Sequence, residues 1–597
     1  MQDLTKSLIL LNGELKTLQI ASISKLGANA FRVSFKNNPK SYTYSADKVV
    51  WLTNPQWLVP ELCKVYRGGR LQTDVTEIWQ FEAGQNNYWR IKYRSGYEGE
   101  YAEGQLNVVK TCLDEETSKN TFAYLKQVAA INPLRKEEDK EGILSQIYEK
   151  VDFIDDKTAA ACYINPDKHK VRKLSHKDLI YPFGCNASQK KAVAAAFEHQ
   201  VSVVQGPPGT GKTQTILNVI ANIVRNGETV LVVSNNNSAI TNVQEKLEKY
   251  GLAFIVAPLG SKENKELFIS QQTLVPTEVS SWSCPMQDGM RMKSTLHDTL
   301  RSLDKVYALL NEDAMLRQEQ QSVDLEWRHF CMDNGIDEHT PLERRVQSSL
   351  IIRLWLHYQS KADGTLIAPD GLWSRITEGL KSLWMRMICR YRLRLHNKFE
   401  QADMKPLVIE LQTLYYLNRR IEIEERLETI RQELSTYDAD LLTKTLTDTS
   451  MTLFKASLHG RYDKQESILF KDTKDMKAHG EDFLKRYPVV LSTTFSARSC
   501  VFGDKPYDYI IMDEASQVSI ETGALALTCA NNAVIVGDAL QLPNVVTDED
   551  RTKLTAIMEQ YHIPEGYDCA KNSFLESVRT VIKNVPETML REHYRCH

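Results

Sequence analysis

Residues 201–213 read VSVVQGPPGTGKT: a five-residue run ending the apolar part at Val204, a loop of glycines and prolines, and a lysine and threonine that open the next segment. The run is rich in valine, and the KTQTILNVIANIVRN that follows repeats its apolar residues at helical spacing. The chain must therefore pass from a buried strand through a tight turn into a helix. Gly206, Gly209 and Gly211 let the backbone fold so that successive N–H groups face one anion, with Pro207, Pro208, Thr210 and Gln214 completing the loop and the first helical turn. The positive end of the helix faces the same point. Lys212 adds a fixed charge for the β- and γ-phosphates of a nucleotide, and Thr213 a hydroxyl for Mg²⁺. A turn whose glycines serve packing alone is the competing reading. The strand before the motif and the apolar-periodic helix after it speak against that reading.

Such a site needs a carboxylate at the end of a neighbouring strand. YIIMDEASQ at 509–517 offers Asp513 for the metal and Glu514 to take a proton from the attacking water, both where open α/β sheets place their ligands. Yet 301 positions separate Lys212 from Asp513, far more than one compact domain uses, so the chain must leave the sheet and return to it.

Strands and helices alternate over 181–261 and again over 485–597, which predicts one parallel-sheet α/β domain in two parts. Between them, 262–484 reads as a long α-helical, coiled-coil-like insertion. Leu296, Leu300, Leu303, Tyr307, Leu310 and Ala314 fall at seam spacing, and a looser series runs from Leu407 to Leu434. An antiparallel hairpin and a plain helical bundle both fit this pattern. Residues 1–115 are β-rich, with runs such as AFRVSFK and NYWRIKYRSGYEGEY between turn residues, and predict an accessory β-rich domain. The charged stretch 116–180 reads as a helical connector or stalk.

The net charge is −3, so nucleic acid would have to be held by local basic patches rather than by a global field. Eleven cysteines stand singly, without metal-ligand or redox spacing, which points to a reducing compartment and a cytoplasmic location. No apolar run approaches the roughly 20 residues of a bilayer span, so no membrane partner is expected.

GPPGTGKT together with DEASQ, VGDALQLP and HYRCH resembles the first motor domain of superfamily 1 helicases, in the up-frameshift-like branch. That resemblance implies a RecA-like P-loop NTPase fold, ATP and Mg²⁺ as ligands, and single-stranded DNA or RNA as the partner. It assigns Gln189, in NASQKKAV, to the adenine, and Gln541 and Asp538 to the γ-phosphate region. Tyr594 would stack on the adenine and Arg595 would reach the phosphates. VLVVSNNNSAITNV puts Ser234, Asn235 and Asn236 on the nucleic-acid backbone, and VVLSTTFSA offers Thr493 and Thr494 to the same strand. The family carries a second motor domain, and nothing follows His597 here. A truncated chain with feeble hydrolysis on its own is the expectation.

Two basic stretches remain. Arg90, Lys92 and Arg94 share one face of a predicted strand and are candidates to track phosphates, although a solvated strand face explains them equally simply. LWMRMICRYRLRLHNK gathers Arg386, Arg390, Arg392, Arg394 and Lys398 around Trp384 and Tyr391. It suits nucleic acid, a protein partner reached through the insertion, or an anionic surface, and equally an exposed helix that lays its arginines over apolar contacts and needs no ligand. A protein-remodelling ring ATPase and a nucleotide-gated scaffold are the competing functions; the DEASQ and GDALQLP pair disfavours the first.

Overall fold

The computed structural model of the chain describes residues 4–84, 86–132, 142–168, 179–363, 372–395, 404–463, 468–503, 505–541 and 546–591. At its centre stand seven parallel strands. Across the sheet they run Val256–Pro258, Val489–Thr493, Val230–Ser234, Tyr507–Asp513, Ala530–Gly537, Val201–Gln205 and Glu587–Met589. Their side chains are buried on both faces, as Val201–Gln205 and Val230–Ser234 show throughout. That explains why these strands read as unbroken apolar runs instead of alternating ones. The register aligns their C-terminal ends: Gln205 pairs with Gly537 and Met589, and Ser234 with Thr493 and Asp513. The phosphate loop, Ser234, Thr493, Asp513 and Gly537 therefore all stand at one edge of one sheet, although sequence neighbours are not sheet neighbours.

Two compact units divide the chain, Met1–Pro285 with Ser450–His597, and Met286–Thr449. The helical unit is thus narrower than the 262–484 expected, and its flanks belong to the sheet-bearing unit. Within the helical unit, helices Met286–Asn334 and Lys405–Ser435 run antiparallel. Arg426 meets Glu312 at 2.7 Å and Arg419 meets Glu319 at 2.7 Å, while Trp327 packs against Tyr416. The predicted seam is displaced. Leu296, Leu300 and Leu303 are buried, but burial then passes to Val306 and Leu309, leaving Leu310 49% exposed and Ala314 exposed. A seam read from spacing assumes one continuous partner, whereas the buried stripe here shifts by one residue along the helix.

The segment expected to be a stalk is packed into the sheet-bearing unit. Helices Glu116–Ile131, Ile143–Glu149 and Ala159–Ile164 share one apolar core with the central strands. Three buried tyrosines pin them. The Tyr124 hydroxyl donates to the Tyr567 carbonyl (2.9 Å), Tyr148 donates to the Glu521 carbonyl (2.6 Å), and Tyr163 pairs with the Ser577 hydroxyl (2.5 Å). A buried phenol without a partner costs about 1–3 kcal/mol, so each ring demands its acceptor. The N-terminal β-rich region consists of small antiparallel sheets. One core holds Ile9, Ile20, Ile23 and Val33, a second holds Val65, Ile78, Trp89 and Ile91, and Leu8, Leu10 and Phe81 form a third cluster.

Candidate active site

The loop after the Val201–Gln205 strand has the shape that its glycines dictate. Gly209 and Gly211 take φ of +92° and +84°, the left-handed region that side chains disfavour. A Cβ on Gly206 would fall 2.4 Å from the Thr210 hydroxyl oxygen. The Gly206 N–H donates to the Gly537 carbonyl (3.2 Å), which seats the loop on the neighbouring strand. Helix Lys212–Arg225 starts at once. Lys212 is buried, its Nζ donates to the Gly206 carbonyl (3.0 Å), and Glu514 Oε1 lies 3.7 Å away.

Asp513 ends its strand in the core, and burial, then the adjacent Glu514 charge, push its carboxyl up to about 6. Glu514 adopts φ of +53°, a conformation costing a non-glycine residue roughly 1–2 kcal/mol. Its N–H donates to Asp513 Oδ1 (2.9 Å), and its Oε2 is buried without a partner among the described residues. Strain and an unsatisfied carboxylate oxygen at one residue mark a position held for a ligand rather than for stability. The hard oxygens of Asp513 and Thr213 fit a divalent cation, whose charge would reverse the penalty on the Asp513 carboxylate. Asp538 is buried just past the Ala530–Gly537 strand, accepts the Leu540 N–H at 3.0 Å, and its carbonyl takes the Gln541 N–H at 3.1 Å. Gln541 is half-buried beside it.

Gln189 lies against the phosphate loop. It is fully buried and its side chain is spent inside the protein. Its Oε1 accepts the Asn186 N–H (3.0 Å), closing a capping box on helix Ala187–Glu198. Its Nε2 donates to the Gly211 carbonyl (3.3 Å) and to Gln214 Oε1 (3.1 Å). In this structure Gln189 braces the phosphate loop. Sequence reading also passed over two asparagines in helix Lys212–Arg225. Asn218 accepts the Phe183 N–H and donates to the Gly184 carbonyl, while Asn222 does the same for both backbone groups of Ile180. These fully buried amides tie the turn at 180–184 to the loop helix. Asparagine at two positions four apart in a helix rich in Ile, Leu and Val was the available signal.

A family model described as an AAA domain matches residues 184–549, more than half of the chain. Over 484 residues the chain is 22% identical to an uncharacterized ATP-dependent helicase of Mycoplasma genitalium, a match covering 66% of this chain and 42% of that protein. Regulator of nonsense transcripts 1 of Caenorhabditis elegans is 37% identical over 90 residues, 15% of this chain and 8% of that one. ATP-dependent helicase upf1 of Schizosaccharomyces pombe is 35% identical over 92 residues, 14% of this chain and 10% of that one. The chain belongs to the superfamily 1 helicases of the up-frameshift-like branch. This is a family of ATP-hydrolysing enzymes, and the chain spans less than half the length of each of these relatives.

The residues that the helicase family would set on a nucleic-acid strand occupy the other half of the same sheet edge. Ser234 and Thr494 are buried, Asn235 and Thr493 half-buried, and Asn236 exposed. Asn236 is spent capping helix Asn237–Lys249, accepting the Ser238 N–H at 3.0 Å. The Asn235 amide donates to the Gln517 carbonyl (3.1 Å), three residues beyond Glu514. From the same helix, Asn242 donates to the Thr213 hydroxyl (3.4 Å). Buried Asn235 Oδ1 and Thr494 Oγ1 have no partner among the described residues.

The N-terminal patch is not brought to this edge as a free basic face. Arg90 pairs with Glu98 (2.7 Å) and donates to the Leu4 carbonyl, and Lys92 pairs with Glu77 (3.0 Å). Arg94 lies beyond the end of the Asn86–Tyr93 strand, in the turn. Cross-strand carboxylates, invisible to a reading of one strand alone, neutralise the first two. Tyr594, Arg595 and Lys398 lie outside the described residues.

Proposed function

We propose that this chain binds and hydrolyses Mg·ATP and couples that cycle to movement along single-stranded DNA or RNA. The reading is supported above all by the division of one sheet edge. Lys212, Asp513, Glu514 and Gln541 stand on one half, Ser234, Asn235, Thr493 and Thr494 on the other, and hydrogen bonds from Asn235 and Asn242 cross between them.

In this mechanism the loop N–H groups and Lys212 hold the phosphates, and Lys212 exchanges the Gly206 carbonyl for a phosphate oxygen. Glu514 accepts the proton of the attacking water through the oxygen that has no partner among the described residues. Gln541 senses the γ-phosphate, with Tyr594 and Arg595 completing the pocket as the family resemblance implies. Mg²⁺, when bound, neutralises phosphate charge; Asp513 and Thr213 would hold it. Loss of the γ-phosphate shifts the turn after Glu514, and the Asn235–Gln517 bond carries that shift to the strand-binding half. A cytoplasmic location belongs to the same reading.

The test is ATP hydrolysis with and without a single-stranded oligonucleotide. Stimulation by RNA or DNA single strands supports a nucleic-acid motor, and hydrolysis indifferent to any strand overturns it.

A further inference from the structure

Helix Leu372–Met387, continued by the wider turn Ile388–Arg392, carries two apolar faces on opposite sides. One is accounted for. Met385, Cys389, Leu393 and Leu395 are buried against Ile351, Leu354 and Leu411 of the helical unit. The other stands in solvent: Leu380 is 62% exposed, Leu383 57%, Trp384 54%, Met387 52% and Tyr391 71%. Positions 380, 383, 384, 387 and 391 form one continuous stripe at helical spacing. Solvent-exposed Lys381, Arg386, Arg390, Arg392 and Arg394 surround it, and residues 380–395 contain no aspartate or glutamate.

We propose that this face lies on an anionic lipid surface. Leucine, tryptophan and methionine on one side with arginine around them is the composition of a helix that rests in the headgroup region. Trp384 and Tyr391 are the residue types that favour that boundary. The ring of cations without an acidic residue gives the stripe a charge that complements an anionic surface, and a fluid surface needs no shape complement. The opposite face anchors the helix on its own bundle, so the stripe is presented already folded. The binding is peripheral, because no helix among the described residues is long and apolar enough to cross a membrane.

The test is flotation of the full chain with vesicles of phosphatidylcholine containing about 30% phosphatidylserine, against vesicles of phosphatidylcholine alone. Binding should require the anionic lipid and weaken with added salt. Near such a surface each cation is worth about fivefold in partitioning, so Arg392→Gln with Arg394→Gln should lower the partition coefficient roughly twentyfold. Leu383→Glu with Trp384→Glu should abolish binding, while Met315→Glu, on an exposed site of another helix (64% exposed), should not. Unchanged circular dichroism and melting would show that the variants fold. Absence of binding to the anionic vesicles, or equal binding by the Leu383/Trp384 variant, overturns the proposal. So does a result in which that variant keeps vesicle binding and instead loses binding to a single-stranded RNA oligonucleotide or an acidic peptide.

Discussion

Replacing Gln189 by alanine separates two roles for the residue that differ in their signature. In the structure the side chain accepts from Asn186 and donates to Gly211 and Gln214, at 3.0, 3.3 and 3.1 Å, from a fully buried site. Each such bond contributes about 0.5–1.5 kcal/mol net, and the two that hold the phosphate loop bear directly on nucleotide binding. The loss is therefore about 1–3 kcal/mol of loop order, or roughly 5- to 150-fold in affinity at 1.4 kcal/mol per tenfold. Because the brace touches the loop and not a base, the loss should be equal for ATP and GTP analogues. Fluorescent analogues of both, titrated against parent and variant, make the comparison. A loss confined to the adenine nucleotide would show that the side chain turns out to read the base, and would refute the bracing role.

Glu514→Gln should keep nucleotide binding and lose turnover by about 10²–10⁴ in single-turnover hydrolysis, the usual cost of removing a general base. Lys212→Ala should abolish detectable binding of a fluorescent ATP analogue, since it removes the fixed charge at the loop. Asn218→Leu would leave the Phe183 N–H and Gly184 carbonyl unpaired, at about 1–3 kcal/mol each, and should lower the melting temperature without changing ATP-versus-GTP preference. Arg90→Gln with Lys92→Gln should leave the salt dependence of single-strand binding near that of the parent, because Glu98 and Glu77 already hold those cations. A clearly flatter slope would return the N-terminal face to the strand path.

The parts of this protein that were legible in its sequence are those whose constraint is local. Gly209 and Gly211 need positive φ, Lys212 must open a helix, and Asp513 must end an apolar strand; each requirement is met by residues within a few positions. The parallel sheet followed from the same logic. What escaped depends on distant partners. The segment from 116 looks like a charged connector until Tyr124, Tyr148 and Tyr163 find acceptors some 400 residues away. The buried stripe of helix Met286–Asn334 leaves the predicted seam after Leu303, and Arg90 and Lys92 looked available because their carboxylates sit on neighbouring strands. The capping box and loop contacts of Gln189 likewise join residues that one stretch of sequence does not connect. Asn235 offered no sign in sequence of its reach to Gln517.

The central claim is that one sheet edge joins nucleotide state to strand binding, and linkage makes it measurable in either direction. The affinity of the chain for a fluorescent single-stranded oligonucleotide should be determined with ADP and with a non-hydrolysable ATP analogue, in the parent and in Asn235→Ala. A coupling of typical size is 1–3 kcal/mol, so the two nucleotide states of the parent should differ by about 5- to 150-fold, and the variant should shrink that ratio towards one. Equal strand affinity in both nucleotide states of the parent would contradict the account.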